Sequence, residues 1–324
     1  MTDIPMSGDL DLSNRKFKVL DLFSGIGGLS YGFSKNGFNV TGVDKSERAG
    51  MVYQIFASPN FIHADLGIDL IKGSFDVIVG GPPCRPWSSV NLSKRSEIHR
   101  DYHLVERFME HVATNRPRIF IMENVPSLKS DKGFGIQMAR IAKLGYSVTS
   151  AYVKYSDYGA STSRKRLIAV GLLDGTADAF IQDLKKFSKP PKLLKDTIRE
   201  FRYNDRGIPQ DHVWPNLRTI SKYAEKYATG KYGWKILEWD SPAPSFGNVM
   251  KTYILPPDSD PLSPETRVVS VLEVSRIMGF NHGFSFPEGM HIGERYQMLV
   301  DSVSPVFSDI LAKQTLSYLK QYRL

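Results

Sequence analysis

The chain has 324 residues, 41% of them apolar and 23% charged, which is typical of globular proteins and sufficient for two domains or one large domain with an insertion. A single cysteine excludes an internal disulfide, and no apolar run approaches the about 20 residues that span a bilayer. Because the N-terminus also lacks a signal-peptide pattern, we expect a cytoplasmic protein and no membrane partner. The net charge of +8 favours a polyanionic partner.

Patterns typical of strands and helices alternate through the first half of the chain. The apolar run at 16–23 predicts a strand, and the glycine-rich turn SGIGG leads from it into a helix near 29–36. Further strands are predicted at 39–44, 60–65, 75–80, 118–123, 146–153 and 166–171, with a helix at 104–112. Strands separated by helices predict an α/β, Rossmann-like fold with a doubly wound, mostly parallel sheet.

The pattern changes after about residue 175, where prolines become frequent and the alternation of strands and helices stops. Helical spacing returns only at 270–278 and 306–318. We therefore predict that residues 1–184, completed by 285–324, form one domain. Residues 185–284 are predicted to form a smaller, loop-rich second domain.

Polar and glycine-rich residues follow the predicted strands where each strand ends. Ligands of open α/β sheets bind at this carboxyl edge, so we expect one site to collect these residues. They are Phe23, Gly25, Ile26 and Gly27 of the first turn, then Asp44, Asp65, Pro82, Pro83, Cys84, Glu123 and Asn124.

The first turn and the two aspartates are typical of a nucleoside site. Glycines let the backbone approach a ligand closely, and Asp44 is placed to accept hydrogen bonds from ribose hydroxyls. The turn lacks the GxGxxG spacing that cradles a pyrophosphate, and Asp65 is placed to receive an adenine amino group. The residues therefore favour S-adenosylmethionine over NAD. The alternative that both aspartates are only polar strand ends stays open, and no metal is expected.

The segment GGPPCRPWS holds the only cysteine, Cys84. A lone cysteine is usually a small core residue, but three prolines fix this loop and deny it strand hydrogen bonds. A rigid loop suits a nucleophile; the adjacent Arg85 is predicted to favour the thiolate, and Glu123 offers a carboxyl group opposite. Methylation of cytosine at carbon 5 needs such a pair, because a thiolate on carbon 6 and an acid at ring nitrogen 3 make carbon 5 nucleophilic.

Six segments in order resemble the cytosine-C5 DNA methyltransferases, especially the short bacterial and archaeal enzymes of restriction–modification systems. They are DLFSGIGG (21–28), GGPPCRPWS (80–88), MENV (122–125), TSRKR (162–166), RVVSVLEVSRIMGF (267–280) and VDSVSP (300–305). The resemblance covers nearly the whole chain. It implies the fold of S-adenosylmethionine-dependent methyltransferases, a target-recognition domain at 185–284, and double-stranded DNA as partner.

The resemblance also implies a role for individual residues. Cys84 is the nucleophile, Glu123 contacts ring nitrogen 3 and the exocyclic amine, and Arg166 binds the cytosine carbonyl oxygen. Arg164 supports the catalytic loop and the substrate. Asn124 holds the loop geometry. The residues that bind S-adenosylmethionine are Phe23, Gly25, Ile26, Gly27, Asp44, Asp65, Pro82, Ser302 and Val303. The residues that bind the substrate, besides the catalytic ones, are Pro83, Ser88 and Asn124.

Three departures from the pattern of the family involve four positions. Arg85 and Thr162 stand where the family usually has glutamine. Val300 and Asp301 stand where it has Gly-Asn, which changes a turn beside the cofactor and adds a negative charge. None of these departures touches the nucleophile, the glutamate or Arg166.

Two segments are predicted to contact DNA. Residues 87–100 have the small, polar and basic side chains of a lid that closes over a flipped cytosine, and an ordinary solvated loop is the alternative. Between Lys185 and Lys235, thirteen Lys and Arg side chains stand against five Asp and Glu, which suits phosphate contacts, with a solvated face over a small core as the alternative. The aromatic residues suited to base stacking there are Phe187, Phe201, Tyr203, Trp214, Tyr223, Tyr227, Tyr232 and Trp234. The candidates for guanine contacts are Arg199, Arg202, Arg206 and Arg218.

Other functions stay open from the sequence alone. A tRNA cytosine-5 methyltransferase of the same family carries Cys-Phe-Thr in its target region, whereas the one cysteine here is already committed. A catalytically silent DNA-binding module would not need Cys84, Glu123 and Arg166 together. A nicotinamide-dependent dehydrogenase would need the missing pyrophosphate pattern. We expect a monomer, and the resemblance suggests a cognate restriction endonuclease that acts on the same site.

Overall fold

A computed structural model describes residues 16–87, 99–201, 206–207, 209–217, 219–229, 234–280 and 282–321. In these ranges the central feature is a seven-stranded sheet with helices on both faces. A separate two-stranded parallel pair joins β8 (Lys235–Ile236) to β9 (Ile254–Leu255). No helix in the described part of the chain is both long and apolar enough to cross a bilayer.

The seven strands lie in the spatial order β3-β2-β1-β4-β5-β7-β6. They are β1 (Lys18–Leu22), β2 (Asn39–Asp44), β3 (Phe61–His63), β4 (Val77–Gly80), β5 (Ile119–Asn124), β6 (Ser147–Lys154) and β7 (Lys165–Leu172). Strands β1 to β5 pair in parallel, whereas β7 runs antiparallel to both β5 and β6. The start of β7 therefore lies at the same edge of the sheet as the ends of β5 and β6.

Helices cover both faces of the sheet. The described helices, which include those of the second half of the chain, are α1 (Gly28–Lys35), α2 (Glu47–Phe56), α3 (Leu104–Asn115), α4 (Lys132–Lys143), α5 (Ala177–Leu184), α6 (Ala224–Thr229), α7 (Val271–Met278), α8 (Ile292–Asp301) and α9 (Pro305–Gln321). One hydrophobic cluster packs α1, α5 and α9 against the sheet, and a second packs α3 and α4 against the opposite face.

The predicted doubly wound, mostly parallel sheet is confirmed. The central strands β4 and β5 are continuous apolar runs because helices cover them on both sides, which made them readable in the sequence. All seven strands were predicted, with ends that shift by a residue or two. Helices α2, α4, α5, α6 and α8 were not predicted; α4, for example, buries only Phe134 and Ile141, so its apolar spacing is weak.

A third hydrophobic cluster lies in the second half of the chain. It draws on residues from 194 to 300, including α7 and α8, and reaches Ile26, Ala49 and Val52 near the sheet. Helix α7 begins with a capping box in which Ser270 and Glu273 exchange hydrogen bonds with each other's backbone. The division of the chain into 1–184 with 285–324 and 185–284 stays a prediction.

The aromatic residues of the basic segment mainly build this third cluster. Phe201, Tyr227 and Trp234 are buried in it, and Trp214 and Tyr223 pack against it. The prediction of base stacking is therefore wrong for Phe201, Tyr227 and Trp234, because their rings are buried and contribute apolar area to the third cluster. Phe187 packs against the cluster that holds α1, α5 and α9 on the sheet. Tyr203 and Tyr232 lie outside the described residues.

Candidate active site

The turn after β1 leaves room for a ligand at the edge of the sheet. Phe23, Gly25 and Gly27 all have left-handed backbone conformations, with φ of 59°, 52° and 85°. This conformation is uncommon for a residue with a side chain and is concentrated at functional sites. A methyl group built on Gly25 would meet no atom within 4 Å, so the space above the turn is open. The side chain of Ile26 points elsewhere, into the third cluster, and only its backbone belongs to the turn.

The two residues predicted to bind the nucleoside lie at the carboxyl ends of neighbouring strands. Asp44 is the last residue of β2, and Asp65 lies two residues after the end of β3. The Asp44 carboxylate accepts backbone hydrogen bonds of 2.9 Å from Gly25 and from Ser46, which ties the glycine turn to the start of α2. Each oxygen keeps a lone pair for a ribose hydroxyl. Asp65 accepts a hydrogen bond from Gly67 and its side chain is 45% exposed, so it is accessible to an amino group. These donors and acceptors fit S-adenosylmethionine, which carries a ribose and an adenine.

The segment after α8 closes against the glycine turn. A methyl group built on Gly28 would lie 2.1 Å from Ser302 Oγ and 2.2 Å from the Val303 carbonyl oxygen, so only glycine allows this approach. Ser302 and Val303 therefore lie beside the turn. Val300 and Asp301, the departure predicted to change a turn beside the cofactor, are the last two residues of α8, and Val300 is buried in the third cluster.

The loop that carries Cys84 is fixed on both sides of the cysteine. Asn124 Nδ2 donates a hydrogen bond of 3.0 Å to the Pro82 carbonyl oxygen, and the Trp87 amide donates one of 3.0 Å to the Cys84 carbonyl oxygen. Pro82 is buried, whereas Pro83 and Cys84 are partly exposed. The thiol is thus held at the surface of a rigid loop, at the edge where β4 and β5 end.

Glu123, at the end of β5, is buried and contacts two polar side chains. Arg166, at the start of β7, places Nε 3.0 Å from Glu123 Oε1. The Tyr155 hydroxyl donates a hydrogen bond of 2.9 Å to the same oxygen. Glu123 Oε2 accepts no hydrogen bond from the described residues and faces Gly81, where a built methyl group would lie 3.5 Å from it. Oε1 therefore contacts both Tyr155 and Arg166, whereas Oε2 is turned toward the loop of Cys84.

The charge around Cys84 comes from across the site. Burial raises the pKa of the thiol, Arg166 opposes that rise, Glu123 and Asp301 add to it, and Arg164 opposes it. The side chain of Arg85 is exposed, and the cations that lower the pKa of the thiol are Arg166 and Arg164 near the start of β7, so a contribution of Arg85 stays a prediction.

Arg164 is a buried donor beside this cluster. Burial and the neighbouring Arg166 lower the pKa of its guanidinium to about 10. Its Nε has no hydrogen-bond acceptor among the described residues. Buried polar atoms normally have a partner, so an unsatisfied guanidinium nitrogen at an open site is available to a bound substrate or to a closing loop.

Comparisons with known proteins agree with this arrangement. The family model for C-5 cytosine-specific DNA methylase matches residues 17–317. The chain belongs to that family. It is a DNA cytosine-5 methyltransferase, and the family implies the use of S-adenosylmethionine.

Individual relatives extend over most of the chain. The type II methyltransferase M.HgiDI of Herpetosiphon aurantiacus is 29% identical over 95% of this chain and 96% of its own length. The type II methyltransferase M.HindV of Haemophilus influenzae is 33% identical over 63% of this chain and 73% of its own length. The solved structure of the Entamoeba histolytica methyltransferase EhMeth superposes with a TM-score of 0.69 at 19% identity, over 94% of this chain and 99% of that one, which shows the shared fold.

Several predicted contacts of this methyltransferase fall on residues that the structure does not describe. Ser88, Arg202, Arg218 and most of the segment 87–100 lie outside the described residues. Of the other guanine-contact candidates, Arg206 donates a hydrogen bond to the Trp214 carbonyl oxygen and lies over the Trp214 ring, whereas the Arg199 side chain is exposed. Thr162, which departs from the family pattern, is buried and its backbone pairs with Ala243.

One side chain in the active site of this methyltransferase was missed in the sequence. Tyr155 follows β6, and its hydroxyl reaches past the first residue of β7 to Glu123 on β5. The sequence shows neither that β7 lies between β5 and β6 nor that it runs antiparallel, and no spacing connects Tyr155 with Glu123. The only available signal was a tyrosine directly after a predicted strand that ends at the carboxyl edge.

Proposed function

We propose that this enzyme methylates carbon 5 of a flipped cytosine, in a specific sequence of double-stranded DNA, through a covalent bond between Cys84 Sγ and carbon 6. The Cys84 thiolate adds to carbon 6 while Glu123 supports ring nitrogen 3 and the exocyclic amine. S-adenosylmethionine supplies the methyl group to the nucleophilic carbon 5. Loss of the carbon 5 proton to solvent then restores the ring double bond and expels the thiolate.

The convergence of Cys84, Glu123 and Arg166 beside the glycine turn is the observation that supports this mechanism most strongly. Three strands, β4, β5 and β7, bring a thiol, a carboxyl group with one free oxygen, and a guanidinium to one edge of the sheet. Arg166 holds Glu123 and is placed to bind the cytosine carbonyl oxygen. Arg164, with its unsatisfied Nε, is placed to support the substrate.

Access to the site requires that the cytosine leave the duplex. A base in a stacked helix cannot reach a partly buried thiol, and flipping costs a few kcal/mol that contacts with the protein must offset. The net charge of +8, with its excess in 185–235, supports binding of the DNA backbone. Because M.HindV and M.HgiDI are type II methyltransferases, we infer that this enzyme protects DNA from a cognate restriction endonuclease. Because each target cytosine needs only one active site, we also infer that it acts as a monomer.

Transfer of a radiolabelled methyl group from S-adenosylmethionine to duplex DNA or to transfer RNA tests the substrate class. We expect label in DNA alone, and bisulfite sequencing of DNA from a host that expresses the enzyme should show one recurring methylated sequence. Label in transfer RNA and none in DNA would contradict the proposal.

The covalent step has its own test. Duplex DNA with 5-fluorocytosine at the mapped target should become trapped on the enzyme in the presence of S-adenosylmethionine, because fluorine cannot leave carbon 5 as a proton does. Cys84→Ala should abolish both trapping and turnover while it still binds DNA. Turnover by Cys84→Ala would refute the role of the thiol.

A further inference from the structure

One hydrogen bond and one ion pair on Glu123 Oε1 leave the carboxyl group asymmetric. The Tyr155 hydroxyl donates a hydrogen bond of 2.9 Å to Oε1, and the charged Arg166 Nε lies 3.0 Å from the same oxygen. Oε2, the oxygen on the side of Gly81 and the Cys84 loop, accepts none from the described residues. Both contacts stabilise negative charge on Oε1, so a proton on this carboxyl group is favoured on Oε2.

Tyr155 is held rigidly enough to enforce that asymmetry. Its ring is fully buried and stacks on Phe307 of α9, with ring centroids 5.1 Å apart and planes inclined by 26°. Its amide donates a hydrogen bond of 3.1 Å to the Arg164 carbonyl oxygen. Burial raises the pKa of the phenol well above its usual range, and the nearby Glu123 charge adds to the rise. The hydroxyl therefore stays protonated and acts as a donor throughout the working pH range.

We propose that Tyr155 is a positioning residue that, together with Arg166, confines the exchangeable proton of Glu123 to Oε2 and aims that oxygen at ring nitrogen 3 of the cytosine. This inference rests on the proposed role of Glu123 in methyl transfer. Without the hydroxyl, one lone pair of Oε1 becomes free, the proton can occupy either oxygen, and the carboxyl group can rotate about its terminal bond. Loss of the hydroxyl should therefore slow the attack of the thiolate on carbon 6 and leave the affinity for S-adenosylmethionine unchanged.

The decisive variant is Tyr155→Phe, which removes one oxygen and keeps the ring on Phe307. We expect kcat and the rate of trapping on 5-fluorocytosine DNA to fall about tenfold, as for the loss of one hydrogen bond to a charged group. The KM for S-adenosylmethionine should stay within about twofold of the unmodified enzyme, since positioning acts on the chemical step. Far-UV circular dichroism should confirm that the fold is retained.

Tyr158→Phe is the matched control. Tyr158 packs on the same Phe307 ring, with centroids 5.2 Å apart, but it has no contact with Glu123. This variant should retain the kcat of the unmodified enzyme. Equal losses of kcat in the two variants would show that only packing on α9 matters and would overturn the proposal, as would a Tyr155→Phe enzyme with unchanged kcat.

A double-mutant cycle with Glu123→Gln shows whether Tyr155 acts through Glu123. Once the acid is gone, adding Tyr155→Phe should lower the residual kcat by less than about twofold, because interacting residues are not additive. A full tenfold loss in that background would overturn the proposed route. An unmodified enzyme without any methyl transfer to DNA would instead refute the proposed function itself, so the two failures are distinguishable.

Discussion

The active site and the third cluster each bury one arginine–glutamate pair, and the two pairs differ in how completely the carboxylate is satisfied. In the third cluster, Arg267 donates to both oxygens of Glu273, at 2.6 and 2.9 Å, and the Ser270 amide donates a further hydrogen bond of 2.7 Å. In the active site, both donors lie on one oxygen of Glu123. A closed pair of this kind fixes structure, whereas the open pair keeps an acceptor for chemistry.

The surroundings of the two pairs extend this contrast. Arg267 also donates to the Phe201 carbonyl oxygen and lies over the Trp214 ring, so the closed pair joins several segments of the third cluster. At the edge of the sheet, buried polar atoms without a described partner are Asp21 Oδ1 and Ser24 Oγ near the glycine turn, and Arg164 Nε; the third cluster also contains one, Tyr227 Oη. Unsatisfied polar groups are costly, and those at the edge of the sheet lie where a bound polar ligand can satisfy them.

Replacing the open pair's carboxylate should affect chemistry most. Glu123→Gln retains an acceptor for Tyr155 but removes the acid at ring nitrogen 3, so we expect kcat to fall by roughly 10²–10⁴-fold. The midpoint of thermal unfolding should change less than it does for the matched change in the closed pair. Single-turnover methylation of duplex DNA measures the first quantity, and a rate within tenfold of the unmodified enzyme would contradict the assignment.

Replacing the closed pair's carboxylate should affect stability instead. Glu273→Gln removes the carboxylate charge that pairs with the Arg267 guanidinium, whose side chain is only 6% exposed. We expect the free energy of unfolding to fall by about 3–5 kcal/mol, as for other buried pairs with one partner removed. Urea unfolding measures this, and kcat per folded molecule should stay unchanged below the transition. A large loss of kcat with normal stability would erase the distinction between the two pairs.

Asp21, a buried carboxyl group near the glycine turn, should make the free energy of unfolding depend on pH. Burial raises the pKa of this carboxyl group to about 7, with the Ser30 hydrogen bond opposing the rise and Asp44 adding to it. The folded state therefore binds this proton more tightly than the unfolded state does. The contribution of Asp21 to the free energy of unfolding is fully present below about pH 4 and is lost as the pH rises to about 7. The total loss is on the order of 4 kcal/mol. Asp21→Asn should flatten the pH dependence of the unfolding free energy over that range; an unchanged slope would exclude Asp21 as its source.

The same contrast explains what could be read from the sequence. The catalytic edge was accessible because parallel strands end together, so Asp44, Cys84 and Glu123 could be assigned to one site from the strand ends alone. Interactions that depend on the order of the strands were hidden. Tyr155 was missed for this reason.

The basic segment was misread for a different physical reason. Aromatic side chains interleaved with lysine and arginine have the same pattern whether they stack on bases or pack inward. Only the packing shows that Phe201 and Trp234 are core residues. Composition does not record which way a ring points, and long loops do not have the fixed periodicity by which a strand or a helix separates its two faces.

Arg85 offers the smallest expected effect and tests which charges act on the thiol. Its side chain is exposed, and water and salt screen an exposed charge strongly, whereas Arg166 acts across a buried site. Arg85→Gln should therefore change the rate of trapping on 5-fluorocytosine DNA by less than about threefold at neutral pH. Arg166→Gln, the matched change in the buried cation, should slow trapping far more. Equal slowing by Arg85→Gln and Arg166→Gln would contradict this expectation. It would mean that a charge on the exposed loop favours the Cys84 thiolate as strongly as the buried Arg166 does.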